Sequence, residues 1–257
     1  MKNPSIFTLR SCRTLFVMAA LAAGSTLSAA TILEDTFEEY TAGTAPTSPW
    51  STTSNITVSS NADAQSAFGP EGDTKGLRNR NLNASFTPAA TATFDLSSVT
   101  YSSLDIQFDY MYVTQTGNPQ FILQDDGTNA IRMMLTTVNG YVSVREGSTF
   151  NEITTMSINS GTWYRFYLSI NLESSTFDLT IEDENGTSVS ATSLAFENSV
   201  TDVNTLVYNY NVGIASTGGE YYIDNVLVQT IPEPATLSLG FGGLAMLAAW
   251  LRKRVRS

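Results

Sequence analysis

The sequence predicts an all-β protein, two antiparallel sheets packed as a sandwich, and three observations carry that expectation. Apolar side chains recur at every second position: Leu104, Ile106, Phe108, Tyr110 and Tyr112 form one run, and Tyr164, Phe166, Leu168 and Ile170 another. Asn-Gly and Asp-Gly pairs punctuate such runs, and residues 31–230 show little helical periodicity. Alternate side chains of a strand point to opposite faces, so each run has one buried face and one wetter face.

The elements follow in chain order. Lys2, Arg10 and Arg13 precede the short apolar run Thr14–Gly24, and Ser28-Ala29-Ala30 supplies small residues for cleavage. That order is a secretory signal peptide over 1–30, whose apolar helix is too short for a stable membrane span. Signal peptidase is expected to cut after Ala30. TAGTAPTSPW and SSNADAQSAFGPEGDTKG are rich in Ser, Thr, Gly and Pro and are expected to be loops. Trp50 follows Pro49 and is expected to plug a loop over the core.

Strands should then alternate with hairpin turns. Asp125-Asp126-Gly127 divides FILQ from AIRMML, Asn139-Gly140 divides MMLTTV from YVSV, and Glu184-Asn185-Gly186 divides FDLTIE from TSVSA. Asn-Gly and Asp-Gly supply the positive φ angles that tight hairpins need. Phe177, Leu179 and Ile181, then Leu206, Tyr208, Tyr210, Val212 and Ile214, continue the period of two. About 200 residues bury a sizeable core without disulfides, so 31–230 is expected to be one sandwich domain.

Composition removes several classes of function. Cys12 is the only cysteine and lies ahead of the leader's apolar run, and the chain has no histidine. Histidine-based triads, His-ligated zinc and imidazole acid–base chemistry are therefore excluded, as are disulfides once the leader is gone. Residues 31–230 hold six basic and 23 acidic side chains, near −17 in net charge. Such a body does not bind nucleic acid through phosphates or adsorb to anionic lipid. It suits a soluble exported domain, and one that takes cations.

The chain closes with Pro232-Glu233-Pro234, the uncharged stretch Ala235–Leu251 and the basic cluster Arg252, Lys253, Arg254 and Arg256. As a helix the uncharged stretch spans about 26 Å, the short end of what crosses a bilayer. The basic cluster marks its cytoplasmic side and acts as a stop-transfer signal. This order of three elements over 231–257 resembles the PEP-CTERM sorting signal of bacterial exported proteins. The resemblance implies processing near the Pro-Glu-Pro motif by a membrane exosortase in a Gram-negative bacterium that makes extracellular polysaccharide. The precursor would be anchored in the inner membrane, and the product would reach the cell surface or extracellular matrix, with biofilm as its setting.

The body opens ILEDTFEEYTAGTAPTSPW and ends GGEYYIDNVLVQT, and GTWYRFYLSINLESSTFDLTIEDENG gives a Trp-led strand and a hairpin. It resembles laminin-G-like (LamG-like) and concanavalin A-like jelly rolls and calcium-bearing carbohydrate-binding modules. In such modules acids from the first and last strands share a structural calcium, and the resemblance places Asp35, Glu38 and Asp224 in that role. Calcium takes six to eight oxygen ligands and suits carboxylates. Independently, Trp163, Arg165 and Tyr167 share the other face of their strand, where rings can stack on a sugar and Arg can bond its hydroxyls. Asp105, Gln107 and Asp109 have the polarity to share that face.

The expected function is thus that of a non-catalytic exported sandwich, structural or adhesive, with extracellular polysaccharide as candidate ligand. The alternative is a polysaccharide-degrading glycoside hydrolase or lyase of concanavalin A-like fold. The Glu-x-Asp-x-(x)-Glu strand of related glucanases is missing, and Glu182-Asp183-Glu184 belongs to an expected turn. No catalytic residue is assigned.

Overall fold

The computed structural model describes residues 29–231, apart from 54, 71–72, 81–88, 94–100, 115–116, 137–138, 154 and 212–218. The expected leader up to residue 28 and the expected sorting segment, with Pro232, Glu233, Pro234, the apolar stretch and Arg252 to Arg256, lie outside the described residues.

Fifteen strands are described. They are β1 (Thr31–Asp35), β2 (Trp50–Thr52), β3 (Ile56–Ser59), β4 (Gly76–Arg80), β5 (Ala89–Thr93), β6 (Ser103–Thr114), β7 (Asn118–Asp125) and β8 (Thr128–Met134). Then come β9 (Val142–Glu146), β10 (Thr149–Ile153), β11 (Tyr164–Asn171), β12 (Thr176–Asp183), β13 (Ser188–Ala195), β14 (Thr205–Asn211) and β15 (Glu220–Thr230). One sheet runs β13-β12-β11-β6-β15-β4-β3, with β1 also paired to β15; the other runs β10-β9-β8-β7-β14-β5-β2. All pairings are antiparallel, and among the described residues no helix is long and apolar enough to cross a membrane. The fold is the expected two-sheet sandwich.

The period of two explains the layers. Leu104, Ile106, Phe108 and Tyr110 of β6 are all at most 1% exposed and meet Phe166, Leu168 and Ile170 of β11 in the same core. Phe108 stacks on Phe121 and on Phe166, each at 5.0 Å between centroids, and Tyr208 closes the cluster edge-on at 5.2 Å. Each such ring removes roughly 150–250 Å² from water, so these few side chains carry much of the stability. Between β7 and β8, Asp126 and Gly127 take φ of 44° and 85°, the double positive φ that a two-residue hairpin requires.

Two further features place the site. Strand β1 lies antiparallel along the end of β15, with Asp35 opposite Val226. The segment between β3 and β4 folds back over the outer face of the first sheet, where Ala64 and Phe68 pack on Met111, Trp163 and Tyr222. A Cβ at Gly76 would stand 2.6 Å from the Ala64 carbonyl oxygen, so only glycine permits this crossing.

Candidate functional site

Strand alternation decides which acids face outward. On β15, Tyr221 and Ile223 join the core, which leaves Tyr222 and Asp224 on the outer face. Asp224 pairs in register with Asp109 of β6, and Asp109 pairs with Arg165 of β11. The overlying segment then seals this row from water: Asp109 and Asp224 are both fully buried.

Asp109 is completely satisfied. Arg165 donates to both its oxygens, Nε to Oδ1 at 2.6 Å and Nη2 to Oδ2 at 2.9 Å. Ser66 Oγ at 2.6 Å and Asn225 Nδ2 at 2.7 Å donate to Oδ2 as well. Arg165 is itself held by the Phe68 carbonyl at 3.1 Å and lies over the Phe68 ring at 4.7 Å. A buried ion pair is tolerated only when its remaining valences are filled in this way.

Asp224 is not. Its Oδ1 accepts the Asn225 amide at 2.8 Å, in a β-bulge where Asn225 takes a φ of 48°, while Oδ2 is buried without a donor. Asp73, in the overlying segment, has both carboxylate oxygens buried and without a close hydrogen bond, and lies within reach of Glu38, Asp224 and the Asn225 side-chain amide. Glu38 Oε1 accepts the backbone amides of Thr74 and Lys75, both at 2.6 Å, and Oε2 accepts Thr74 Oγ1 at 3.0 Å. Burial, and then the negative charge of Asp73, pushes the Asp224 carboxyl up to about 10. Burial and the Glu38 carboxylate likewise raise Asp73. At Glu38 burial pushes upward, but the hydrogen bonds it accepts outweigh it and hold the group low.

Five of the six cations of residues 31–230 are committed elsewhere, and the sixth, the Lys75 ammonium, meets the cluster only at the Glu38 main chain. Lys75 Nζ bonds the Glu38 carbonyl, Arg78 and Arg80 flank Glu220, Arg132 and Arg145 flank Glu197, and Arg165 serves Asp109. Among the described residues the carboxylates of Glu38, Asp73 and Asp224 form no ion pair. They do not form a finished cage: among the described residues no group of three His, Cys, Asp or Glu side chains is placed to enclose a metal ion.

Of the acids expected to hold calcium, Glu38 and Asp224 come to one cluster and Asp35 does not. Asp35 faces the core, 3% exposed, where it accepts the Phe37 amide at 2.7 Å, Tyr40 Oη at 2.9 Å and Trp50 Nε1 at 2.6 Å. Trp50 is buried over the core as expected, but as the first residue of β2 rather than in a loop, and it packs on Phe37 at 5.5 Å. The expected sugar face is largely covered. Trp163 is 5% exposed beneath the overlying segment and Arg165 is taken by Asp109, whereas Tyr167 is 37% exposed. Sequence reasoning passed over Asp73, which sat inside a stretch read only as loop. The signal for it was GDTKG, in which an acid stands beside two backbone amides that hold a second acid.

No protein-family model and no curated protein matches the chain. Solved structures do match in fold. Lectin II from Ulex europaeus aligns with a TM-score of 0.52 at 9% identity, over 79% of this chain and 100% of its own. A conserved carbohydrate esterase from the Shiga toxin-encoding bacteriophage phi24B aligns at 0.51 and 10% identity, over 80% and 100%. A sialidase aligns at 0.46 and 16% identity over 68% of this chain, which spans 17% of that protein. At these identities the likeness shows a lectin-like jelly-roll sandwich and nothing finer, and binding proteins and enzymes both use it.

Proposed function

We propose that residues 31–230 act as a non-catalytic exported sandwich of the cell surface or extracellular matrix, structural or adhesive, locked by calcium. The observation that carries the reading is Asp224: a fully buried carboxyl with one oxygen lacking a donor, beside an Asp73 with no close hydrogen bond of its own. Two such groups are costly to bury unless a proton or cation joins them. A hard divalent ion bound by oxygen suits Glu38, Asp73 and Asp224, and backbone carbonyls complete such shells in general. The ion would tie the turn after β1 and the segment before β4 to β15. Its work is mechanical: it cancels charge and holds the overlying segment on the sheet.

Export, exosortase processing and polysaccharide contact belong to the same proposal and rest on the sequence of the two ends. The non-catalytic part is supported by burial, since Asp109 and Asp224, the one pair of acids opposed across the outer face among the described residues, are sealed from any polymer. Tyr167 is the ring of the expected sugar face that stays open, flanked in register by Gln107 and Thr180. Tyr167→Ala is therefore the substitution to use on a glycan array.

The test is thermal unfolding of the secreted protein with calcium and with chelator, followed by incubation with bacterial polysaccharides. Calcium at about 100 times its Kd should stabilise by about 2.7 kcal/mol, with no release of reducing ends or unsaturated uronates. Superimposed melting curves would overturn the calcium lock, and turnover lost on a single substitution would overturn the non-catalytic reading. Intact mass of the protein from its native host should show residues 1–30 and the sorting segment removed.

A further inference from the structure

Sheet edges expose unpaired backbone groups, and natural sandwiches defend them with charge, shortness or cover. Most edges here are defended. On β3 the outward side is already bonded, the Gly43 amide to the Val58 carbonyl and the Val58 amide to the Thr44 carbonyl, both at 2.8 Å. Strand β2 is three residues long, β10 carries Glu152, and β1 ends in Glu34 and Asp35.

Strand β13 has none of these defences. Its sequence SVSATSLA contains no charge and no proline, and among the described residues only β12 bonds positions 188–192. The run stops at Ser193, where a bulge with φ of 57° turns the amide onto Asp178 Oδ1 at 2.7 Å. Five residues, Ser188 to Thr192, thus form an open edge. Ser188, Ser190 and Thr192 are exposed, and Val189 and Ala191 are half-buried.

We infer that this edge pairs with a second copy of the same chain, antiparallel about a two-fold axis at Ser190. A two-fold axis perpendicular to the sheet keeps both faces in place, so opposed residues share a face. Centred on Ser190, it sets Ser188 against Thr192 and Ser190 against itself on the outer face, and Val189 against Ala191 on the inner one. Hydroxyl meets hydroxyl and apolar meets apolar, the favourable cross-strand pairs. Charge selects this edge over the others. Copies that are each near −17 meet most easily where no charge is carried: β1 carries Glu34 and Asp35 and β10 carries Glu152, whereas β13 carries no charged side chain. The product is one sheet continuous across two sandwiches, and the calcium site plays no part in it.

Light scattering and cysteine cross-linking of the full chain in detergent test this, with Cys12 replaced by Ser throughout. The mass should be twice that of the monomer, and Ser190→Cys should give a disulfide dimer with diamide, because opposed Cα atoms lie about 4.5–5.5 Å apart, within the span a disulfide bridges. Ser188→Cys should not, since the two copies of that position are about 13 Å apart along the strands. Ser190→Lys, which sets two ammonium groups against each other on an exposed face, should return the mass to that of the monomer. A monomeric mass at high micromolar concentration would overturn the pairing. So would a dimer that cross-links equally through both cysteines, which would signal association through another part of the chain.

Discussion

Asp35 and Asp224 lie on neighbouring strands of one ladder, both buried, yet on opposite faces of the sheet. Asp35 points inward and meets three donors, a backbone amide, a phenol and an indole. Asp224 points outward under a folded-back segment and meets one, with a second carboxylate for a neighbour. The core face was closed by the protein's own groups, and the outer face was left short of positive charge. A buried acid that no side chain meets takes its partner, a proton or a cation, from solvent.

The largest way to break this contrast is to make a second deficit. Arg165→Met removes the cation from Asp109 and leaves it buried one position from Asp224 across the ladder. Removing one partner of a buried pair should cost about 3–5 kcal/mol, read from urea unfolding. Asp35→Ala comes next. It strands the Trp50 indole, the Tyr40 phenol and the Phe37 amide inside the core and should cost about 3 kcal/mol. That loss should be the same with calcium or chelator present, because Asp35 sits apart from the cluster.

Asp224→Asn sharpens the contrast from the other side. With chelator present the Asp224 carboxyl, pushed up to about 10, already holds a proton, so the neutral amide leaves the charge unchanged and the variant should be close to the parent in stability. With calcium at about 100 times the parent's Kd, it should lack the stabilisation of about 2.7 kcal/mol. Melting curves of both proteins under both conditions give the answer. A merely structural aspartate would lose stability equally in the two.

Much of the frame was legible in the sequence because period two and Asn-Gly or Asp-Gly turns are local signals. The run Leu104 to Tyr112 and the Asp126-Gly127 hairpin read directly into β6 and the β7–β8 turn. The site was half legible. Glu38 and Asp224 came from resemblance at the two ends of the body, but alternation cannot tell which strand face a distant segment will cover. Trp163 and Arg165 alternate as an outer face should, and they are nevertheless shut in by Ala64 and Phe68, about a hundred residues earlier in the chain. Asp35 misled for the same reason. An acid in a first strand is expected at a rim, and only the fold brings Trp50 and Tyr40 to meet it in the core.

The smallest effect concerns an acid whose shortage of charge the chain itself has met. Glu220 lies between Arg78, bonded through both oxygens at 2.9 Å, and Arg80 at 3.4 Å, and it accepts the Tyr222 hydroxyl at 2.7 Å. Burial pushes its carboxyl up, but these partners outweigh burial and hold it below the ordinary value of 4.5. A carboxyl lowered in the folded state binds protons more readily when unfolded, so its contribution is complete above the unfolded value. It is lost as pH falls from there through the folded value. Glu220→Gln should therefore cost about 1 kcal/mol at neutral pH, with the gap to the parent closing as the solution is acidified below that value. Paired urea titrations at neutral and acid pH measure it. A gap that stays constant with pH would mean that Glu220 acts through packing rather than charge, and its likeness to Asp109 would then end at geometry.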